Sequence, residues 1–384
     1  MKDGKIVVLQ VIGGLSMGGA ESRMMDIARE IDRERFSFDF LLDEPPGYYE
    51  PEAVSLGSSI YRVPRFYFFN WHQYASAMDR FFKEHKEIDI VQASLTSTAS
   101  IYLPVAKKNG VPVTMAYARS AGVDPGPKGW LTKRLRSTLF EKCDIAAAVS
   151  AEAGKAVYGT EHADKVMIIP DAFFLDKFKP SADNAAKGLE IRERYSLKDS
   201  FVIVHVGRFH YAKNHEFLLK VFKEIAAKRE DAALLLAGDG DTLPKMKALA
   251  AKEGISDKVI FAGQQSDPAA FYSAGDIMIF PSRYEGLPGT VIEAQSSGLP
   301  VLMSDTITPE VEVTEFVRSL PLAAGVEAWA SEALRFYDKI NASYPDRGGR
   351  DNISALADAG FEIKASVRKL EKLYEELLEK GADR

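Results

Sequence analysis

Two Rossmann-like α/β domains in tandem are what this chain predicts, and three observations carry the prediction. Short apolar strands alternate with amphipathic helices, the grammar of parallel β-α-β units. The pattern restarts near the middle of the chain. The length of 384 residues, with 46% apolar residues, exceeds what one core holds and suffices to fill two.

The first half opens with the strand "KIVVLQVI", a glycine loop and the helix "AESRMMDIAREI". Met24, Ile27, Ala28 and Ile31 fall at helical spacing and should form that helix's inner face. The strand "FSFDFLL", a turn around "EPPGYY" and the short strand "IYRVP" follow. The helix "HQYASAMDRFFKEH" leads to the strand "IDIVQAS", and a further helix precedes the strand "VPVTMAYA". A basic helix, "WLTKRLRSTLFEKC", then leads to "DIAAAVS". The second half restarts with "FVIVHVGRF", an apolar run of the kind buried on both faces. After it come the helix "HEFLLKVFKEIAAKR", the strand "AALLLAGDG", the helix "LPKMKALAAKEG" and the strands "KVIFAG", "IMIFPS" and "PVLMSD". Between the halves "PSADNAAKGLEIRERYSL" is polar and reads as a linker. The last helix, "EIKASVRKLEKLYEELLEK", is strongly amphipathic. Ligands of doubly wound sheets sit at the carboxyl ends of the strands, so a shared ligand is expected between the halves.

Composition narrows the function. A net charge of −6 argues against a broad basic face for nucleic acid. The single cysteine, Cys143, allows no disulfide within the chain and no multi-cysteine zinc site. It reads as a small buried residue rather than a nucleophile. "MKDGKIVVLQVIGG" has too short an apolar run for a signal peptide, and no segment reaches the apolar length of a bilayer span. A cytoplasmic protein, at most peripherally attached to a membrane, is expected.

Four stretches bear on chemistry. "IGGLSMGGAES", Ile12 to Ser22, can bring backbone N–H groups to an anion at a helix start, yet serves equally as a strand-to-helix turn. It is not a Walker A loop, and its glycine spacing fits a dinucleotide fingerprint poorly. In "GRFHYAKNHEF", Arg208 and Lys213 lie where an apolar strand ends, followed at the next helix start by Asn214, which is also expected to bind the donor. Two cations at that rim suit a diphosphate, whose charge grows as it leaves. His205, His210 and His215 crowd the same stretch, but His205 reads as a core histidine and the others lack partners at metal-ligand spacing. "GDGD", Gly238 to Asp241, reads as a strand–turn–helix corner rather than a metal motif. Finally, "SRYEGLPGTVIEAQSSGLPV" starts a helix near Pro288 or Gly289, where free N–H groups favour phosphate. Glu285 precedes that start and Glu293 lies a turn inside it; both suit sugar hydroxyls better than phosphate.

These stretches carry a resemblance. "GGAE" at Gly18, "FDFL" at Phe38, "VGRFHYAKNHEFLL" at Val206, "LAGDG" at Leu236 and "PSRYEGLPGTVIEAQSSGLP" at Pro281 resemble the family 4 retaining glycosyltransferases of the GT-B fold. Within that family the likeness is to bacterial exopolysaccharide and capsule transferases of the EpsF type, and it covers nearly the whole chain. Glu285 and Glu293, with seven residues between them, match the family's paired-glutamate signature. The resemblance implies an N-terminal acceptor domain over 1–180, a donor domain over 181–360 and a helix over 361–384 packing back on the first domain. It implies a nucleotide-sugar co-substrate, expected to be a UDP-sugar, with no other cofactor and no metal. Arg208 and Lys213 would hold the diphosphate and stabilise its departure. Glu285 would contact the donor sugar with the N–H groups of Gly286 and Leu287. Thr290 and Val291 would offer N–H groups to phosphate, Glu293 would hold the ribose, and Gly18 and Gly19 would close the phosphate site. The acceptor would be a glycan or a polyprenyl-linked glycan.

The chain also departs from the family. Relatives often carry histidines where "TMAYARSAGVD" has Tyr117 and Arg119 and where "VQASLTS" has Gln92 and Ser94. No conventional histidine base can be assigned. Arg119 then lies near donor or acceptor, or its loop only borders the acceptor. "IPDAFF", Ile169 to Phe174, replaces the usual Pro-Asn-Gly run. The aromatic run "PRFYFFNWHQY" and the basic helix with Trp130, Leu131, Leu135 and Leu139 suit an anionic membrane surface, against the plainer reading of core packing under a solvated face. Two rival functions remain: a GT-B nucleotide-sugar epimerase, which the paired glutamates argue against, and a catalytically weak scaffold protein, which the intact Arg208, Lys213, Glu285 and Glu293 argue against.

Overall fold

The structure is a computed structural model that describes residues 4–382. The described chain divides into two compact units, one formed by residues up to 173 together with those from 362 onward and the other by residues 174–361. Each unit is one parallel sheet flanked by helices.

The first unit holds β1 (Ile6–Val11), β2 (Phe36–Leu42), β3 (Ile60–Arg62), β4 (Ile90–Ala93), β5 (Val113–Ala118), β6 (Ile145–Ala148) and β7 (Met167–Ile168). Their order in space is β3-β2-β1-β4-β5-β6-β7, and every pairing is parallel. The second unit holds β8 (Phe201–Val206), β9 (Ala232–Ala237), β10 (Val259–Gly263), β11 (Ile277–Phe280), β12 (Val301–Ser304) and β13 (Val317–Leu320). Their order is β10-β9-β8-β11-β12-β13, again all parallel. In both sheets the strand order therefore reverses once, between β1 and β4 and between β8 and β11. Helices cover both faces, so the inner strands read as unbroken apolar runs; all of β9 and β11 is buried.

One sequence device recurs at the start of strands. An aspartate precedes isoleucine at Asp89, Asp144 and Asp276, just before β4, β6 and β11. Each carboxylate accepts the N–H of the neighbouring strand: Val7 at 2.9 Å, Thr114 at 3.0 Å and Val202 at 2.7 Å. Each aspartate's own N–H returns to the same neighbour's carbonyl, at 3.0, 2.9 and 2.8 Å respectively. A short acceptor thus pins parallel register where the ladder begins.

Two parts of the second unit differ from the sequence reading. The polar run read as a linker is a helix, Ala182–Arg194, capped by Ser181, whose Oγ accepts the Asn184 N–H at 3.2 Å. Only Asn184, Gly188 and Ile191 of this helix are buried, so little apolar content signals it. Arg192 holds it in place, donating to the Ala274 and Ser200 carbonyls and to Asp276 at 2.8, 3.0 and 2.8 Å. The second difference is that β13 and the helix Val326–Ser343 fill a region where no element was anticipated. Trp329 of that helix is fully buried against Phe217, with ring centroids 5.5 Å apart.

The last helix, Ile363–Ala382, belongs to the first unit, as the fold class requires. The chain re-enters that unit where Glu362 bridges Phe173 and Ile363 N–H donates to the Phe173 carbonyl at 3.1 Å. Tyr374 then packs on Phe36 and donates its hydroxyl to Gln92 Oε1 at 2.6 Å, while Glu371 accepts the Asp32 N–H at 2.7 Å. In the first helix, Gly19–Glu30, Met24, Met25 and Ala28 are buried; Ile27, expected on the inner face, is only half-buried and lines a small pocket with Ile363, Val367 and Leu370 of the last helix.

Candidate functional site

The strand-order reversal of the second sheet puts the carboxyl ends of β8 and β11 side by side, the usual crevice for a ligand in an open α/β sheet. Two loops leave those ends. Residues 207–214 follow β8 and residues 281–288 follow β11. They are stitched together: Arg283 N–H donates to the Ala212 carbonyl at 2.7 Å, and Arg283 Nη1 donates to the Tyr211 carbonyl at 2.7 Å.

Lys213 and Glu285 meet across this seam, with Nζ 2.8 Å from Oε1. Both side chains are largely shielded, at 18% and 14% exposure. The alignment is that of an ion pair rather than a hydrogen bond, because Glu285 Oε1 is buried without a directed hydrogen-bond partner. The ammonium also stands 4.7 Å from the centre of the Phe280 ring, a cation–π contact. Lys213 ends a single 3-10 turn, Tyr211–Lys213, and Asn214 then turns left-handed at φ 56° to begin the helix His215–Lys228. Asn214 thus aims Lys213 through the backbone; its side chain is buried and its Oδ1 makes no hydrogen bond.

Past Glu285 the chain enters the helix Gly289–Ser296, whose Pro288 start carries no side-chain cap. Gly286 and Leu287 are buried just before it, and Gly289 and Thr290 are half-buried on its first turn. Val291 N–H turns back onto the Pro288 carbonyl at 2.9 Å, so of the two amides expected to meet phosphate it is the one already engaged. Glu293 lies one turn in, and its Oε2 accepts the Tyr272 hydroxyl at 2.7 Å.

Arg208 stands apart. Its side chain is 71% exposed, with Nη2 3.7 Å from Asp241 Oδ1. The "GDGD" turn packs directly on the Arg208 loop: a Cβ on Gly238 would stand 2.0 Å from the Gly207 carbonyl oxygen, and one on Gly240 2.4 Å from that of Phe209. The glycines are needed for this close approach at φ near 150°, which supports the corner reading.

Behind Lys213 lie two buried histidines. His205 is fully buried in β8, and its Nδ1 is 2.9 Å from the Ile279 carbonyl oxygen. His215 is buried at the helix start, stacked on Phe209 with centroids 4.1 Å apart and edge-on to His205 at 4.7 Å. Burial pushes the first down to about 4 and the second to about 2. The core reading of His205 holds at Nδ1 only; Nε2 has no partner.

In the first unit, Tyr117 and Arg119 are held by the unit's own groups. The Tyr117 hydroxyl donates to the Ile169 carbonyl at 2.7 Å, and Arg119 Nη2 donates to Asp171 Oδ2 at 2.8 Å. The Arg119 and Asp171 side chains are 9% and 8% exposed. Burial disfavours the guanidinium's charge, but Asp171, with Tyr117 and Glu21, outweighs it and holds the group above its ordinary value. Gly18 begins the first helix without a side-chain cap, and the Glu21 carboxylate folds over it, 2.2 Å from where a Cβ would stand; Gly19 faces open space. Cys143 is half-buried, and its thiol is pushed up to about 11 by burial, which fits the structural reading.

Sequence reasoning missed Phe280, Tyr272 and Asp171 as partners. Nothing in local spacing joins Tyr272 to Glu293 or Arg119 to Asp171. Asp171 was visible only as the acid in an unusual "IPDAFF".

The Glycosyl transferases group 1 family model matches residues 189–338, which include Arg208, Lys213, Glu285 and Glu293. The chain is 30% identical over 387 residues to the putative glycosyltransferase EpsF of Bacillus subtilis, covering 98% of each protein. It is 22% identical to the capsular polysaccharide biosynthesis glycosyltransferase CapH of Staphylococcus aureus, covering 96% of this chain and 98% of that one. The crystal structure of Anabaena Alr3699/HepE with UDP and glucose superposes with a TM-score of 0.77 at 16% identity, covering 97% of this chain and 100% of the other. With end-to-end likeness to one such enzyme and two parallel sheets of the GT-B kind, the chain belongs to the group 1 glycosyl transferases.

Proposed function

We propose that the chain is a retaining, metal-independent glycosyltransferase that uses a nucleotide sugar, specifically a UDP-sugar, to extend a glycan or polyprenyl-linked glycan in polysaccharide biosynthesis. The observation that carries the reading is the Lys213–Glu285 pair at the β8–β11 reversal, beside an uncapped helix start. Lys213 and the N–H groups at Gly289 and Thr290 supply the positive field a departing diphosphate needs. Arg208, on its exposed stem, swings in to the same phosphates. Glu285 leaves Lys213 for a donor-sugar hydroxyl, with Gly286 and Leu287 lending backbone donors, and Glu293, oriented by Tyr272, takes the ribose hydroxyls. Gly18 and Gly19 are assigned to phosphate. The nucleotide sugar is the co-substrate, and no resident cofactor is assigned. CapH is named for capsule biosynthesis and the Anabaena structure contains UDP, which supports the donor and the pathway class.

Without a histidine base, transfer proceeds on one face of the donor. The C1–O bond to the diphosphate breaks as the acceptor oxygen bonds C1 from the same side. The acceptor's hydroxyl proton passes to the departing phosphate oxygen. Positive charge and positioning are then the protein's whole contribution.

The acceptor side is assigned to a membrane surface. No helix among the described residues is long and apolar enough to cross a membrane. Phe68 and Phe69 are 72% and 86% exposed, and Trp130 is 69% exposed on the helix Pro127–Arg136 beside exposed Lys128, Lys133 and Arg134. Leu135 and Leu139 of that region are buried, so the plainer core reading accounts for them and not for Trp130. A lipid-linked acceptor at an anionic inner leaflet fits aromatic side chains set among cations.

A panel of nucleotide sugars tested by thermal shift, followed by transfer to a polyprenyl-diphosphate glycan with the anomer read by NMR, tests the reading. A UDP-sugar should raise the melting temperature and the product should keep the donor's configuration. No shift with any nucleotide sugar, or an inverted product, overturns it.

A further inference from the structure

Three imidazole nitrogens lie buried without hydrogen bonds directly behind Lys213: His205 Nε2, His215 Nδ1 and His215 Nε2. Leaving such groups unsatisfied is costly. A phenylalanine at 215 would fill the same stack on Phe209 at none of that cost, so packing does not explain the nitrogens. His205 presents its lone pair inward for a definite reason. Its Nδ1 faces a carbonyl oxygen, which can only accept, so Nδ1 carries the proton and Nε2 does not.

That Nε2 is close to the lysine stem. The point where a Cβ of Gly207 would stand is 3.2 Å from His205 Nε2 and 3.4 Å from Lys213 Cε. Glycine at 207 thus keeps both in reach of one spot. The ring of Phe280 is shared as well: His205 stacks on it at 5.4 Å, and the Lys213 ammonium stands 4.7 Å from its centre. His215 follows Asn214, whose left-handed turn aims Lys213, and its ring locks edge-on against His205.

Resting on the diphosphate role of Lys213 given above, we propose that His205 and His215 form a neutral imidazole brace whose His205 Nε2 lone pair, unpartnered while the Lys213 ammonium pairs with Glu285, accepts that ammonium when Glu285 turns to the donor sugar. They are positioning residues: they act on the nucleotide only through Lys213. Their neutrality matters because a second positive charge there would repel the lysine it supports.

A double-mutant cycle tests this. UDP, GDP, ADP and dTDP are titrated calorimetrically into the unsubstituted protein, and the tightest is kept as the probe. His205→Asn keeps a donor toward Ile279 and removes the Nε2 lone pair; His215→Phe keeps the stack and serves as the second variant. Each should weaken probe binding and lower donor turnover at least fivefold when Lys213 is present. In the Lys213→Ala background each should change them less than twofold. Equal losses in both backgrounds, or no loss with Lys213 present, overturn the brace, whereas a shift in melting temperature alone marks a structural role and overturns it too. If the unsubstituted protein binds none of the four nucleotides, the failure belongs to the proposed function instead.

Discussion

The two units each shield a cation on a carboxylate at 2.8 Å with an aromatic ring nearby, and the two pairs differ in what surrounds them. Arg119 and Asp171 join the end of β5 to the segment by which the chain leaves the first unit, and both are more than nine-tenths buried. Lys213 and Glu285 join two loops at a strand-order reversal beside an open helix start. We propose that the first pair is a latch and that the second belongs to the donor site. A buried ion pair therefore says little by itself about function; what surrounds it decides.

Breaking the latch should produce the largest stability effect. Arg119→Ala leaves Asp171 buried and unpaired, a cost of about 3–5 kcal/mol. The expected result is a sharp fall in melting temperature with near-normal turnover per folded molecule. An unchanged melting temperature with lost turnover would instead make Arg119 part of the reaction. Breaking the site should do the reverse. Lys213→Ala removes one charge from the leaving group, and about 10²–10³ in kcat should go with it. Its melting temperature should fall less than that of Arg119→Ala, since Glu285, though shielded at 14% exposure, lies on a loop and can turn toward water; turnover within threefold of normal would refute the assignment.

The second unit should also be the acid-sensitive one. His205 and His215 are neutral when folded, with values of about 4 and about 2, below the ordinary histidine range. The unfolded chain therefore binds more protons below pH ~6.5, so stability is full above that pH and is lost as pH falls toward 4. Roughly 3 kcal/mol is expected from His205 alone, at about 1.4 kcal/mol per pKa unit. Urea titrations across this range should show the slope, and His215→Phe should flatten it. The smallest effect is expected at the ribose side. Glu293→Ala should weaken nucleotide binding about tenfold with kcat little changed, and Tyr272→Phe by less, since the carboxylate would remain but lose its orienting bond of about 1 kcal/mol. Calorimetry with UDP separates these, and unchanged affinity in Glu293→Ala would remove the ribose contact.

The alternation of strands and helices, the restart near the middle and the paired glutamates were legible because they are local or periodic: side chains buried on both faces of a parallel strand must be apolar, and a phosphate-accepting helix start needs small residues before it. The helix Ala182–Arg194 escaped because it is held by Arg192 and Asp276 rather than by an apolar stripe. β13 escaped because a four-residue edge strand, "VRSL", has too little periodicity to be seen.

By itself the sequence determined which residue types stand at each strand end, and hence that the second half has the cations and acids a diphosphate sugar would need. Only the tertiary structure decided their pairing: that Glu285 faces Lys213 while Glu293 faces Tyr272, that Arg208 stands out in solvent, and that Arg119 is locked on Asp171. The reason is physical. Composition and periodicity report what each residue must bury, but these contacts join residues 21 and more positions apart, which only the strand order brings together.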